Sequence, residues 1–505
     1  MLFSTLFFTY IFLPLLLVCY WIPFRKKPGA QLWVLTVFSL FFYAFGEPVY
    51  VFLMIGLVGV NYLFGFLCAN DGESDPPLKK KLFLAIDIAV NLGVLGFFKY
   101  LNFVIDNLNL LFNSSMGRLS VVMPIGISFF TFQAMSYVID TYRGVTKVQK
   151  SYPKLLLYIS FFPQLIAGPI VRYQDIEIQL ENHSWSANQI NEGVFRFGLG
   201  LAKKVIIADS CLTAATAIYK SGNTKIVLAQ WFAVLFYALE LYYDFSGYSD
   251  MAIGLGKIFG FDFPENFNYP FASRSVTEYW RRWHISLGTW FKDYLFYPVL
   301  NSKGIKKLSR TLMKKKKRQL AKYLPSVIAL LVVWFMTGLW HGAAWNYIFW
   351  GLYYFVLLVV DLLWLDKFRK KMNPKIEPLF SHFYFFVATF FGMALFYFDP
   401  ATLSGTLGTD TGTLANIGAI FGIGCTGFAD IFTASTVAAY SFLFLFAAVF
   451  SLPVVPTLWK KATGMLNISP AVCRAVKTVT ALILIALATV RMAGQTYSPF
   501  LYFRF

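Results

Sequence analysis

The sequence predicts an all-α integral membrane protein: one polytopic domain over residues 1–505 with about 10–13 membrane helices. Three observations carry this. Hydrophobic residues make up 58% of the chain and charged residues only 14%, too few to solvate a soluble protein of 505 residues. Apolar runs close to the ~20 residues that cross a bilayer recur from end to end. Lysines and arginines gather in short segments between those runs, as loop charges do in multi-pass proteins.

The runs are 2–22, 30–45, 48–67, 82–105, 227–243, 326–340, 345–363, 382–398, 437–455 and 475–492. Less apolar tracts at 122–139, 155–171 and 190–208 read as further spans, tilted helices or re-entrant segments. The first run precedes Arg25, Lys26 and Lys27 and has neither a basic leader nor a small-residue cleavage site, so it reads as a retained helix. A net charge of +19 would suggest nucleic acid in a soluble chain. Here the charges cluster at 25–27, 79–81, 143–154, 303–322, 367–375 and 460–477, the positive-inside pattern, and no nucleic-acid partner is expected. Between Ile376 and Trp459 there is no Lys or Arg, and the polar stretch DPATLSGTLGTDTGTLANIG reads as an exterior loop. Both termini are therefore expected outside. The basic loops suit a face of anionic lipid, and their field would also attract an anionic donor.

The chemistry concentrates in two histidines out of four. His284 lies in RSVTEYWRRWHISLGTWF and His341 in FMTGLWHGAAWNYIFWG, the most tryptophan-rich tracts. Ionisable groups inside a membrane are functional by default, and an imidazole can take a proton from a hydroxyl. Over 276–295, Trp280, His284, Leu287, Phe291 and Tyr294 recur at helical spacing, flanked by Trp283 and Trp290, with Arg281 and Arg282 on other sides. That pattern predicts one amphipathic helix lying on the inner leaflet, where His284 would equally serve as an interfacial side chain bonded to backbone. His341 follows an apolar run and precedes Gly-Ala-Ala, which permits close backbone approach. Asp244 and Asp250 of YYDFSGYSD are carboxylates at membrane depth, partners either for the site or for a helix break at Ser246-Gly247. Asn346 is a further supporting polar residue. His183 and His382 read as ordinary loop or interface residues. The five scattered cysteines, without a CxxC, suggest neither disulfide nor metal site.

Five stretches carry a family resemblance: MPIGISFFTFQAMSYVIDTYRG (123–144), ISFFPQLIAGPIVRY (159–173), YYDFSGYSDMAIGLGKIFGF (242–261), FNYPFASRSVTEYWRRWHISLGTWF (267–291) and GLWHGAAWNYIFWGLYY (338–354). In this order they resemble the membrane-bound O-acyltransferase superfamily, specifically its bacterial alginate O-acetylase branch. The resemblance implies helices around a thin central funnel or tunnel in a bacterial cytoplasmic membrane. It implies His341 as the catalytic histidine and His284 as the second signature position. The donor would be a cytoplasmic thioester, acetyl-CoA or an acyl carrier protein, with no bound cofactor, met by Trp280, Arg281, Arg282 and Trp283. An extracytoplasmic SGNH-type partner would complete transfer to an exopolysaccharide or peptidoglycan. Related systems carry a short C-terminal aromatic motif with a tyrosine proposed as acyl relay; the tail FLYFRF offers Tyr502, or simply an aromatic anchor.

D-alanyl transfer to teichoic acid from a carrier protein is the alternative within the superfamily, although that branch is usually shorter and takes its aromatic motif from a separate peptide. A transporter without chemistry is the alternative outside it. Such folds often show internal repeats, and none is visible here.

Overall fold

The computed structural model describes residues 1–70, 72, 76–220, 225–398 and 413–494, which are helical apart from turns and two isolated β-bridges. The chain divides into two compact units. Among the described residues, the first is Met1–Ala202, Gly247–Glu265 and 470–494; the second is Lys203–Ser246 and Asn266–Ser469.

The first unit is built on phenylalanine and on glycine. Phe3, Phe8, Phe12, Phe42 and Phe162 form one cluster of buried rings. The Ile127–Arg143 helix is buried continuously from Ile127 to Thr141. It stops because Gly144 takes a positive φ of 70°, and the Gly144 and Val145 amides then turn back to the Thr141 and Asp140 carbonyls. The Ala187–Ala202 helix meets residues 247–258 through Gly193 against Gly254 and Gly200 against Gly247, where a Cβ would strike backbone. Arg196 on that helix bonds Asp250 at 2.6 Å and Glu265 at 2.5 Å. His183 accepts or donates to the Tyr20 hydroxyl at 2.6 Å and stacks on Phe261, a buried structural histidine.

The second unit centres on a helical hairpin, Arg318–His341 and Trp345–Val360. Gly338 lies against the Tyr347 backbone and Gly351 against the Trp334 backbone, so small residues set the spacing as they do between membrane helices. Glu377–Tyr397 packs on the hairpin, with the Tyr353 hydroxyl donating to the Ala388 carbonyl at 2.8 Å. Lys204 is buried between Asp244 at 2.7 Å and Asp209 at 2.9 Å.

Among the described residues, six helices are long and apolar enough to cross a membrane: Tyr50–Cys68, Leu78–Phe112, Arg318–His341, Trp345–Arg369, Glu377–Tyr397 and Pro470–Ala493. The bent pair Ile431–Ala439 and Ser441–Phe450 makes a seventh if it is one span. Shorter apolar helices stand beside them. The runs at 2–22 and 30–45 form the shorter helices Phe8–Trp21 and Pro28–Ala44. The tract 227–243 belongs to a 32-residue helix, Val227–Ile258, that carries Glu240, Asp244 and Asp250 and keeps all three buried. That helix is continuous, so of the two roles open to Asp244 and Asp250 the partnering of a break at Ser246-Gly247 falls away; Gly247 packs closely on Gly200.

Removing one partner of a buried ion pair strands the other charge, at a cost of about 3–5 kcal/mol. Lys204→Met should therefore lower the thermal unfolding midpoint of the purified protein, and adding Asp244→Leu should restore part of it. Equal midpoints for Lys204→Met and wild type would contradict this account.

Candidate active site

His341 is the last residue of the Arg318–His341 helix and is buried. It is held edge-on by Trp350 at 4.9 Å and Phe396 at 5.3 Å, beside its neighbour Trp340. It opens on a small cavity whose wall also includes Leu241, Phe245, Trp280, Trp283 and Tyr354. Nearly all of that wall is apolar, so a hydroxyl brought to the imidazole finds few competing polar groups. From Arg318 to His341 the helix rises about 35 Å at 1.5 Å per residue, which places the histidine at the end remote from the lysine-rich start.

His284 occupies a bend, and the single amphipathic helix expected over 276–295 is not formed. Ser275 caps a short helix, Val276–Tyr279, by accepting from the Glu278 amide at 3.1 Å. The chain then turns, and His284 at φ 47°, ψ 51° precedes a second helix, Ile285–Phe291. A left-handed conformation is uncommon for a residue with a Cβ and persists only where its surroundings hold it. The helical spacing in the sequence was met by packing of another kind: His284, Trp283, Leu287 and Trp290 are all buried rather than spread on a surface.

Asn266 is the residue that holds the bend. The Asn266 carbonyl accepts from the Ile285 amide at 3.0 Å. Its side-chain Oδ1 accepts from the Ser286 amide at 3.2 Å and the Ser286 hydroxyl at 2.8 Å, and lies 3.1 Å from His284 Nδ1. A backbone N–H can only donate, so the atom it faces is oxygen, and His284 must present Nδ1–H to the same oxygen. The proton is thereby placed on Nδ1, leaving Nε2 as the basic nitrogen of the neutral ring. The bend lies outside the six spans, and burial pushes the His284 imidazole down to about 3. Phe245 meets the His284 ring edge-on at 4.7 Å and Trp340 lies 5.9 Å away, so both signature histidines touch the Trp340 indole.

The structure brings together only part of the predicted set. Trp280 and Trp283 line the His341 cavity. Arg281 is exposed, while Arg282 is tied to Glu278 at 2.8 Å and donates to the Asn268 carbonyl. Asp244 and Asp250 are engaged by Lys204 and Arg196, and neither lines the cavity. Asn346 is buried at the start of the Trp345–Val360 helix with both amide atoms lacking a hydrogen-bond partner among the described residues. Tyr502 lies outside the described residues. Sequence reasoning missed Asn266, whose only signal is its place in the matching loop before FNYPFA, and missed Tyr354, Phe396 and Met393 of the cavity wall.

The model of the MBOAT, membrane-bound O-acyltransferase family, matches residues 146–314. The protein named "Probable alginate O-acetylase AlgI" from Pseudomonas putida is 33% identical over 525 residues, covering 100% of both chains. This chain belongs to the membrane-bound O-acyltransferase family. The acyltransferase is also 34% identical over 400 residues to the peptidoglycan O-acetyltransferase of Helicobacter pylori, covering 73% of this chain and 72% of that one. The teichoic acid D-alanyltransferase of Bacillus subtilis matches less of it, 31% identity over 52% of this chain and 64% of the other.

The Asn266 contacts generate a prediction for the acyltransferase. Asn266→Ala frees the His284 ring and removes the anchor of the bend, and should lower kcat by roughly 10–100-fold, the usual cost of losing a positioning partner. Asn266→Asp keeps an acceptor for Nδ1–H and should retain more activity than Asn266→Ala. Equal activity of Asn266→Ala and wild type in acetyl transfer would contradict the assignment.

Proposed function

We propose that this acyltransferase moves an acetyl group from a cytoplasmic thioester to a hydroxyl on the far side of a bacterial cytoplasmic membrane, for O-acetylation of an envelope polysaccharide. The observation that carries the reading is His341 opening on an aromatic, apolar-walled cavity at the end of a span that begins in the basic tract. If that tract is cytoplasmic, as its charge suggests, the acceptor approaches His341 from the opposite face, and both termini are external. In this reading the donor is acetyl-CoA or an acetylated carrier protein, drawn by Arg281 and the 303–322 tract. His341 takes the proton of the attacking hydroxyl. His284, with its basic nitrogen at Nε2, orients the thioester or its pantetheine arm beside Trp280 and Trp283.

The acceptor polymer follows the relatives. Full-length similarity to an alginate O-acetylase and broad similarity to a peptidoglycan O-acetyltransferase support an acetylated exopolysaccharide or peptidoglycan over D-alanylated teichoic acid. An extracytoplasmic SGNH-type partner would complete transfer, and Tyr502 would hand the acyl group on as a phenyl ester. Residues 1–505 act as one polytopic membrane domain.

General-base loss should cost at least ~10²-fold. His341→Ala should therefore retain its membrane insertion and detergent elution profile while losing at least that much labelled-acetyl transfer from acetyl-CoA in proteoliposomes. Retention of more than about a tenth of the wild-type rate would sink the assignment, because a transporter tolerates this change where a base does not.

A further inference from the structure

His341 accounts for the proton of the acyl transfer but leaves the carbonyl oxygen unattended. When a hydroxyl adds to a thioester, the carbonyl oxygen becomes an oxyanion, and in an apolar-walled cavity it needs a donor aimed at it in advance. Trp280 lines the same cavity as His341. Its Nε1 is buried and has no hydrogen-bond partner among the described residues. An indole N–H can only donate, and a buried donor left without an acceptor is costly, so this N–H is built for an acceptor that arrives with a ligand.

We infer that the Trp280 indole N–H is a catalytic residue that holds the acyl carbonyl oxygen as it becomes an oxyanion. The assignment rests on the acyl-transfer reading and adds a group to it.

The ring is immobilised as such a donor must be. Trp334 at 4.7 Å, Trp350 at 5.5 Å and Tyr354 at 4.8 Å all meet it edge-on. The Tyr354 hydroxyl is directed at Gly392, where only a glycine leaves it room. Three residues before Trp280, the Thr277 amide and hydroxyl donate to one oxygen of buried Asp361 at 3.0 and 2.9 Å, and Tyr384 donates to the other at 3.1 Å. Asp361 thus fixes the start of the turn that carries the indole and is a positioning residue.

The step balances with these groups. The hydroxyl oxygen bonds to the carbonyl carbon, its proton passes to His341, and the carbonyl π pair moves onto oxygen, where the Trp280 N–H meets it. Collapse restores the C=O bond and breaks C–S, and His341 returns the proton to the departing thiolate. An ester and a thiol replace the hydroxyl and the thioester.

Trp280→Phe keeps a ring in the wall and removes only the donor with the benzo edge. In full-length protein in proteoliposomes, kcat for acetyl-CoA should fall ~10²–10³-fold, as on loss of one oxyanion donor, with KM little changed. A second measurement reads the carbonyl directly. In the His341→Ala protein, the infrared carbonyl stretch of bound ¹³C-acetyl-CoA should lie below that of the free thioester, and Trp280→Phe in that background should move it back. Wild-type kcat in Trp280→Phe, or an unshifted band in His341→Ala, would overturn the assignment and leave the indole N–H directed at the Tyr354 or Trp350 ring. If His341→Ala itself turns over normally, the acyl-transfer reading fails rather than this one.

Discussion

The constraint on which the second unit depends is the cost of burying an imidazole among apolar side chains. Each histidine is packed among aromatic rings, and His284 is also bonded to Asn266. Trp350, Phe396 and Trp340 surround His341; Phe245 and Trp340 surround His284. Rings supply area and rigidity at little conformational cost and prefer edge-on contacts, which is the geometry found at most of these pairs. The glycines of the hairpin follow from the same need, because helices that carry large rings on one side must close on small residues on another.

Polar interactions are spent where rings cannot act. The left-handed turn at His284 is held by Asn266, which satisfies the backbone of Ile285 and Ser286 and sets the imidazole tautomer with one oxygen. Two carboxylates of the Val227–Ile258 helix are each paired with a cation. Asp244 is satisfied within the second unit by Lys204, and Asp250 within the first by Arg196. These pairs hold the helix in place without reaching the cavity, while Phe245, next to Asp244, does reach it. A carboxylate beside a reactive base would change its proton affinity, and the structure keeps these two occupied elsewhere.

How much of this could be read from sequence depends on distance along the chain. The six spans were legible because a run of apolar residues and a fixed rise per residue determine one another. His341 was legible because span, histidine and Gly-Ala-Ala are adjacent. Other helices are less plainly marked, because Pro28–Ala44 is shorter and Val227–Ile258 carries buried charge. The bend at His284 was misread as a helix because Trp280, His284 and Leu287 fall at helical intervals, whereas the turn is imposed by Asn266, 18 residues away. No local pattern announces a contact of that separation. The same holds for Lys204 with Asp244, and for Asp361 with Thr277.

The central claim is that the thioester carbonyl is placed between His341 and Trp280 in the aromatic cavity. Electron cryomicroscopy of the full chain in lipid nanodiscs with a non-reactive acetyl-CoA analogue, carrying a methylene in place of the thioester sulfur, tests this most directly. The account predicts density for the acetyl group in the cavity lined by Trp280, Trp283 and Trp350, with its carbonyl oxygen within hydrogen-bond distance of the Trp280 indole and its carbonyl carbon one attacking oxygen away from the His341 ring. An analogue bound with its acetyl group outside that cavity, in a complex where the cavity stays closed, would contradict it.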